Sequence, residues 1–277
     1  MILRTKEILY QLYWQLVKIS WNFVPFKEST VQQFHYSIGI TTYVDRYEHL
    51  FKPFFLQLVK LFPDTQLIIT SNGHFDTVRQ KQYMEDMRIF LQPYPNVKLV
   101  AYAEPQSLSK LWNQLVLNSY SSRVLICNED LEISPRFRHE LEHSALLNSS
   151  IALINKSWSH FLISKETIKA IGWFDERFPT IGNEDEDYES RLAIAGQEMH
   201  FFHFRGIRPI VTIPETYSYG ENVDIINQKY LKSNKEFFDT KWEISAQAKE
   251  GFCYVRILDA YVKLRTGMDT PEFYELN

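Results

Sequence analysis

The sequence predicts an α/β fold in which a doubly wound sheet carries a crevice at the ends of its strands. Three observations lead there. Short apolar runs alternate with amphipathic helical stretches along most of the chain, the pattern of a sheet with helices on both faces. The first two runs open into polar loops, Thr41 to Arg46 and Ser71 to Asp76, and in open α/β sheets ligands sit beyond such strand ends. A later apolar run, Val124 to Cys127, ends abruptly in Asn128-Glu129-Asp130, and acids directly behind a buried strand need a chemical reason.

In chain order, residues 1–24 place Ile8, Leu9, Leu12, Leu16 and Ile19 at helical spacing among Arg4, Lys6 and Lys18. The stretch is too interrupted to span a bilayer and lacks a cleavage site, which leaves an amphipathic helix for a membrane surface or for packing on protein. The first strand is read as His35 to Ile40, and a helix follows from Tyr47 to Phe62 with Pro53 marking a kink or late start. Gln66 to Thr70 is the second strand. A helix over 78–91, the strand Val97 to Ala101, and a helix over 107–120 with Leu108, Leu111, Trp112, Leu115 and Val116 on one face continue the alternation. Further on come a helix over 136–147, strands over 151–154 and 161–164, a helix over 165–171, a helix from Asp187 to Gly196 with Tyr188, Leu192 and Ala195 inward, and a strand over 198–204. Helices over 227–238 and 251–264 close the reading. The division expected is an N-terminal helix over 1–30, a catalytic domain over 31–220 and a helical extension over 221–277.

Composition excludes more than it assigns. With 277 residues, 45% hydrophobic and 23% charged, the chain is an ordinary globular protein. A formal charge of −4, a pI near 6.1 and the lack of any dense basic run argue against nucleic acid as a partner. Two cysteines, Cys127 and Cys253, make neither a disulfide framework nor a CxxC metal site, so a reducing, cytoplasmic setting is expected, with peripheral contact to the inner face of a membrane through residues 1–24.

The densest acidic stretch is Glu184-Asp185-Glu186-Asp187, placed behind a loop containing Pro179 and Gly182. On its own it fits either an N-cap cluster on a solvated helix or carboxylates gathered in a cleft, and Asp187 with Arg191 can pair across one helical turn. The run Gly172-Trp173-Phe174-Asp175-Glu176, followed by Glu184-Asp185-Glu186-Asp187, Arg191 and Ala195-Gly196, resembles the "GxFDE…EDxDxxxR…AG" block of family 2 glycosyltransferases of the GT-A fold, including bacterial polysaccharide rhamnosyl- and galactosyltransferases. Ser37 to Arg46 is similar to that family's "V-S-I-I-x-P-T-Y-N-R" start, with Thr41 at the Pro place and Asp45 at the Asn place. Asn128-Glu129-Asp130 resembles its metal motif, and Tyr230 to Trp242 its "Y-x-x-x-N-x-x-x-F-x-x-K-W" tail.

The resemblance, over about residues 35 to 242, implies a mixed, mostly parallel sheet and an inverting transfer of sugar from a nucleoside-diphosphate donor to a glycan or lipid-linked acceptor in surface polysaccharide synthesis. It further implies Mg or Mn on Asp130, with His203 or His200 as a downstream ligand; both histidines also read as structural residues of a strand. Donor contacts are expected from Thr41, Tyr43, Arg46, Asn72, Asn113, Asn128 and Glu129. Asp185 is expected as general base with Glu184 beside it, and acceptor contacts from Trp158, Asp187 and Arg191. Two readings from other classes are a nucleotidyltransferase, which would show a Gly-rich loop that Thr41 to Arg46 lacks, and a non-catalytic carbohydrate-binding protein.

Overall fold

In the computed structural model, residues 12–13, 15–16, 36–210, 221–244 and 262–276 are described, the side chains of 221–229 excepted. Nearly all of the expected N-terminal helix, the loop 211–220 and residues 251–261 of the last expected helix lie outside them. Leu12, Tyr13 and Leu16 are helical and exposed. Among the described residues no helix is long and apolar enough to cross a membrane.

Seven strands form the main sheet: β1 (Tyr36–Thr42), β2 (Leu67–Ser71), β3 (Val97–Ala101), β4 (Arg123–Asn128), β6 (Ile151–Ile154), β7 (Ser157–Ser164) and β8 (His200–Phe202), in the order β3-β2-β1-β4-β7-β6-β8. All run the same way except β7, which is antiparallel to both neighbours. This is the mixed, mostly parallel α/β sheet that the GT-A resemblance implies. Strands buried on both faces explain the near-continuous apolar runs. Leu125 and Cys127 point into one core with Ile38, Ile40, Leu67 and Ile69, whereas Val124 and Ile126 point into the other with Ile68, Leu153 and Ile163.

Helices α1 (Lys52–Leu61), α2 (Thr77–Leu91) and α4 (Pro135–His143) cover the first face, through Phe54, Phe55, Leu58, Tyr83, Met87 and Phe137. A π-type turn over Tyr47–Phe51 runs directly into α1, so the helical stretch begins at Tyr47 as expected and Pro53 marks the change of winding, not a late start. Helices α3 (Leu108–Leu117), α5 (Lys165–Ile171) and α6 (Glu184–Ile194) cover the second face with Trp112, Leu115, Ile168, Tyr188 and Leu192. Gly39 lets α3 sit close on β1, since a Cβ there would meet Leu115 Cδ1 at 2.8 Å.

Several expected boundaries move. β1 runs on through Thr41 and Thr42, which the sequence reading put in the loop, because both pair with β2 and Thr41 also with Asn128 of β4. α6 begins at Glu184, three residues early, so all four acids fall in its first turn, where unpaired backbone N–H groups favour negative charge. Ala195 is exposed, not inward. β7 starts at Ser157 and pairs with β6 first as Ile154↔Ser157 and then as Leu153↔Phe161, so Trp158, Ser159 and His160 have no partner on β6, although His160 still pairs with Cys127 of β4. Residues 262–264, expected as helix, form β11 (Val262–Leu264), paired antiparallel with β10 (Trp242–Ile244) after the long helix α7 (Glu221–Lys241). Phe178 packs with Phe238, Trp242 and Val262 and ties this segment to the body. β5 (Leu131–Ile133) pairs with β9 (Ile207–Pro209).

Candidate functional site

The order of the sheet reverses direction between β1 and β4: β2 and β3 lie on one side of β1, and the later strands lie beyond β4. The carboxyl ends of strands on either side of such a switch leave a crevice. A cleft of about 360 Å³ stands there, lined by Thr41, Thr42 and Tyr43 at the end of β1, Asn72, Gly73, His74 and Phe75 after β2, Pro105 and Gln106 after β3, Asn128, Glu129 and Asp130 at the end of β4, Ser159 of the bulge, and Thr180 and Ile181 before α6.

Its floor is built by register. Thr41 stands opposite Asn128, and its Oγ1–H donates to Asn128 Oδ1 (3.3 Å). Arg46, on the turn Val44–Arg46, is buried; its Nε–H donates to Tyr43 Oη (3.1 Å) and Nη1 to Asp130 Oδ2 (3.3 Å), with Glu129 Oε1 at 3.6 Å. Burial pushes the Glu129 carboxyl up to about 7, Arg46 opposing and Asp130 adding to the rise. Of this trio Asp130 is the accessible acid, its side chain 22% exposed against 4% for Glu129.

A divalent cation, which the resemblance implies, therefore finds one accessible carboxylate here. Among the described residues no group of three or more His, Cys, Asp and Glu is placed to hold an ion. One or two carboxylates plus substrate phosphates are the usual protein share of a Mg²⁺ site, and Asp130, which Arg46 Nη1 holds through Oδ2, offers one such carboxylate. His203 does not join it: the residue is exposed and absent from the cleft wall, because β8 ends at Phe202 on the far edge of the sheet. His200 is likewise exposed.

Asn72 lines the cleft but spends its amide on the protein. Its Oδ1 accepts from the Gly73 and Gln106 N–H groups (2.9 and 2.7 Å) and its Nδ2 donates to the Gln106 carbonyl (3.1 Å), which locks the β2 loop onto the β3 loop. Asn113 is fully buried on α3, where it bonds both backbone groups of Phe174 and the Glu176 carboxylate, and it is not part of the cleft wall. The expected donor contact from Asn113 is thus corrected to a strut between α3 and the loop before α6.

The acidic turn is sorted by depth. Glu184 is buried, accepts from the Gly182 N–H (2.5 Å), and is pushed up to about 8 by burial and by Asp185. Asp185 is half-buried, with Oδ1 accepting from the Glu186 N–H. Asp187 is fully buried among Arg191 (3.0 Å), Lys241 (2.6 Å) and the Trp242 indole N–H (2.9 Å), and Lys241 also holds Asp175 (2.7 Å). Asp187 and Arg191 therefore pair as the spacing expects, but inside the protein, and the acceptor role expected of them is corrected to a buried charge cluster. Trp158 is corrected similarly: it packs against Trp112, Phe161 and Phe174 and donates to Glu189 Oε1 (2.7 Å), leaving Ser159 as the bulge residue that faces the cleft.

Sequence reasoning missed Pro105 and Gln106, although the same strand-end rule applied to β3 would have found them. Phe75, 64% exposed at the rim, stands in the Ser71 to Asp76 loop that was expected to line the crevice, and Thr180 with Ile181 opens the stretch that leads into the acids.

No protein-family model and no curated protein matches the sequence. Solved structures are similar in part, among them the following three. S. aureus TarS aligns at 13% identity over 66% of this chain and 37% of that one, with a TM-score of 0.49. TarS 1–349 in complex with UDP aligns at 12% over 58% and 64%, with a TM-score of 0.42. GalNAc-T7 with UDP, GalNAc and Mn²⁺ aligns at 9% over 80% and 54%, with a TM-score of 0.46. The matched part is thus less than two thirds of each of these proteins.

Proposed function

We propose that this protein is an inverting glycosyltransferase that moves a sugar from a nucleoside-diphosphate donor to a hydroxyl of a glycan or lipid-linked acceptor. The observation that carries the reading is the meeting, in one cleft at the sheet's switch point, of the Thr41–Arg46 loop, Asn128-Glu129-Asp130 and the Thr180-Ile181 segment that leads into the acidic turn. The first two elements suit the diphosphate end of a donor, and the third leads into α6, where Asp185 is half-buried beside the cleft wall without itself lining it.

In this reading Asp130 holds a Mg or Mn ion together with the donor phosphates, and the ion, when bound, neutralises charge on the leaving diphosphate. Arg46 supplies a fixed guanidinium at the same place, restrained by Tyr43 and Glu129. Asp185 accepts the proton of the acceptor hydroxyl as its oxygen bonds to the anomeric carbon, the carbon–oxygen bond to the diphosphate breaks, and configuration inverts once. Glu184, kept largely protonated at neutral pH by burial, leaves Asp185 as the charged member of that pair.

The test is incubation with Mn²⁺ and a panel of UDP-, dTDP-, GDP- and CDP-sugars. Release of a nucleoside diphosphate from at least one is expected, and an anomeric configuration opposite to the donor's in the product. Silence with every donor, with and without simple glycosides as acceptors, overturns the reading.

A further inference from the structure

Three of the four residues Thr180, Ile181, Gly182 and Asn183 adopt left-handed backbone, with φ of 57°, 117° and 66° at Thr180, Gly182 and Asn183. For Thr and Asn this region is sparsely populated, and a loop that strings such residues together persists only when its surroundings over-determine it. Two features do so. The Thr180 carbonyl accepts from the Leu108 N–H at the start of α3 (2.7 Å). On the other side, Asn234 of α7 is fully buried, and its Nδ2 lies 2.9, 3.1 and 3.0 Å from the carbonyl oxygens of Pro179, Ile181 and Gly182. Leu231, one helical turn earlier, closes over Gly182 so tightly that a Cβ there would meet its Cδ2 at 2.6 Å.

We propose that Asn234 is a positioning residue for the site: its side-chain amide gathers three carbonyls of the 179–183 loop and so sets both the Thr180-Ile181 wall of the cleft and the start of α6, where Asp185 stands. The chemistry is specific to an amide. Three converging carbonyl oxygens need a donor; an Asp at the same place would aim a carboxylate at them, and an Ala would leave them without a partner. Because the floor of the cleft is made by β1 and β4, which Asn234 does not touch, the clamp separates donor binding from turnover. The role at the site rests on the transferase reading; the clamp itself does not.

Two measurements on Asn234→Ala test it. Hydrogen exchange followed by mass spectrometry is expected to speed at least 10-fold in peptides covering 179–187, with β1 and β4 unchanged; unchanged exchange in 179–187 overturns the clamp whatever the activity. Under the transfer assay above, kcat is expected to fall about 100-fold while the donor KM and UDP-induced thermal shift stay within 3-fold of wild type. A parallel loss of kcat, UDP shift and melting cooperativity makes Asn234 a merely structural residue, and unaltered kcat overturns the positioning role. Leu231→Ala guards against misfolding, since Leu231 is 46% exposed; the same exchange pattern with a smaller fall in kcat is expected, and its absence counts against the clamp. If 179–187 loosens as expected while wild-type protein transfers no sugar, the transferase reading fails and the clamp stands.

Discussion

Replacing Lys241 by Met strikes a fully enclosed charge. Its ammonium is fully buried, 2.7 Å from Asp175, 2.6 Å from Asp187 and 2.7 Å from the Thr270 hydroxyl. Removing one partner of a buried ion pair typically costs about 3–5 kcal/mol, because the surviving charge has neither water nor a counter-ion. Here each surviving acid keeps an arginine, Arg177 on Asp175 and Arg191 on Asp187, so the low end, about 3 kcal/mol, is the expectation. At roughly 2–4 °C per kcal/mol for a domain of this size, Tm should fall by about 6–12 °C. The pH dependence supplies a second readout. Burial alone would raise the Asp175 carboxyl, but hydrogen bonds from Arg177 and the charge of Lys241 outweigh it and hold the group at about 2. A carboxyl held below its unfolded value of about 4 stabilises the fold above that pH and gives the stabilisation up as pH falls toward 2. Lys241→Met removes part of that depression, so the Tm deficit of the variant should be largest near neutral pH and narrow as pH falls through 4 toward 3. Thermal melts by circular dichroism between pH 3 and 7 measure both effects, and the double variant Asp175→Asn with Lys241→Met should recover part of the loss. A cooperative melt within about 2 °C of wild type at every pH would refute the cluster as a net contributor.

Three further outcomes are expected. Asp185→Asn keeps shape and hydrogen bonding but cannot take a proton, so transfer should drop about 100- to 10,000-fold with donor affinity retained, whereas Asp130→Asn should weaken metal and donor together; steady-state kinetics and calorimetry separate the two, and near-wild-type transfer by Asp185→Asn removes it as the base. Mn²⁺ with the cognate nucleoside diphosphate at one hundred times its Kd should stabilise the fold by about 2.7 kcal/mol, and a shift of equal size without metal would count against Asp130 as ligand. Burial pushes the Glu189 carboxyl up to about 8, opposed by the Trp158 indole N–H. A raised carboxyl stabilises fully below its unfolded value and loses that stabilisation as pH climbs to 8, so Glu189→Gln should flatten the fall of Tm between pH 5 and 8 by up to about 1.4 kcal/mol per pH unit; identical slopes in both proteins would refute it.

What the sequence made legible follows the reach of each signal. Strand alternation and the polar loops behind β1 and β2 are local patterns, and they located most elements and the cleft. The pairing of Asp187 with Arg191 was local too, one helical turn. Its burial was not, because the enclosing groups, Lys241 and Trp242, come from 54 and 55 positions further along. Asn113 failed for the same reason: α3 is buried around more than one stripe, with Leu111, Trp112, Asn113, Leu115 and Val116 all enclosed, so position on the helix did not reveal what the amide faced. Trp158 and Ser159 were separated only by the bulge of β7, a register event invisible without β6. In the Val262-Lys263-Leu264 stretch the alternation of a strand was present, but three residues were too few to outweigh the surrounding helical reading.

These distinctions bear on how four neighbouring acids can hold different roles. At the first turn of α6 the unpaired backbone N–H groups favour every one of them equally. Packing then divides them. Asp187 turns inward to two cations and an indole, which keeps a charge inside the protein at the junction of α6, α7 and β10. Glu184 turns inward, where burial and the neighbouring Asp185 raise it to about 8, so near neutral pH it carries a proton and spares Asp185 a like charge. Glu186 is raised by burial and by Asp185 while Asn183 donates to it. Asp185, half-buried, is left next to the loop whose Thr180 and Ile181 line the cleft. A solvated N-cap cluster would have exposed all four, and the enclosure of Glu184 and Asp187 around a half-open Asp185 departs from that arrangement.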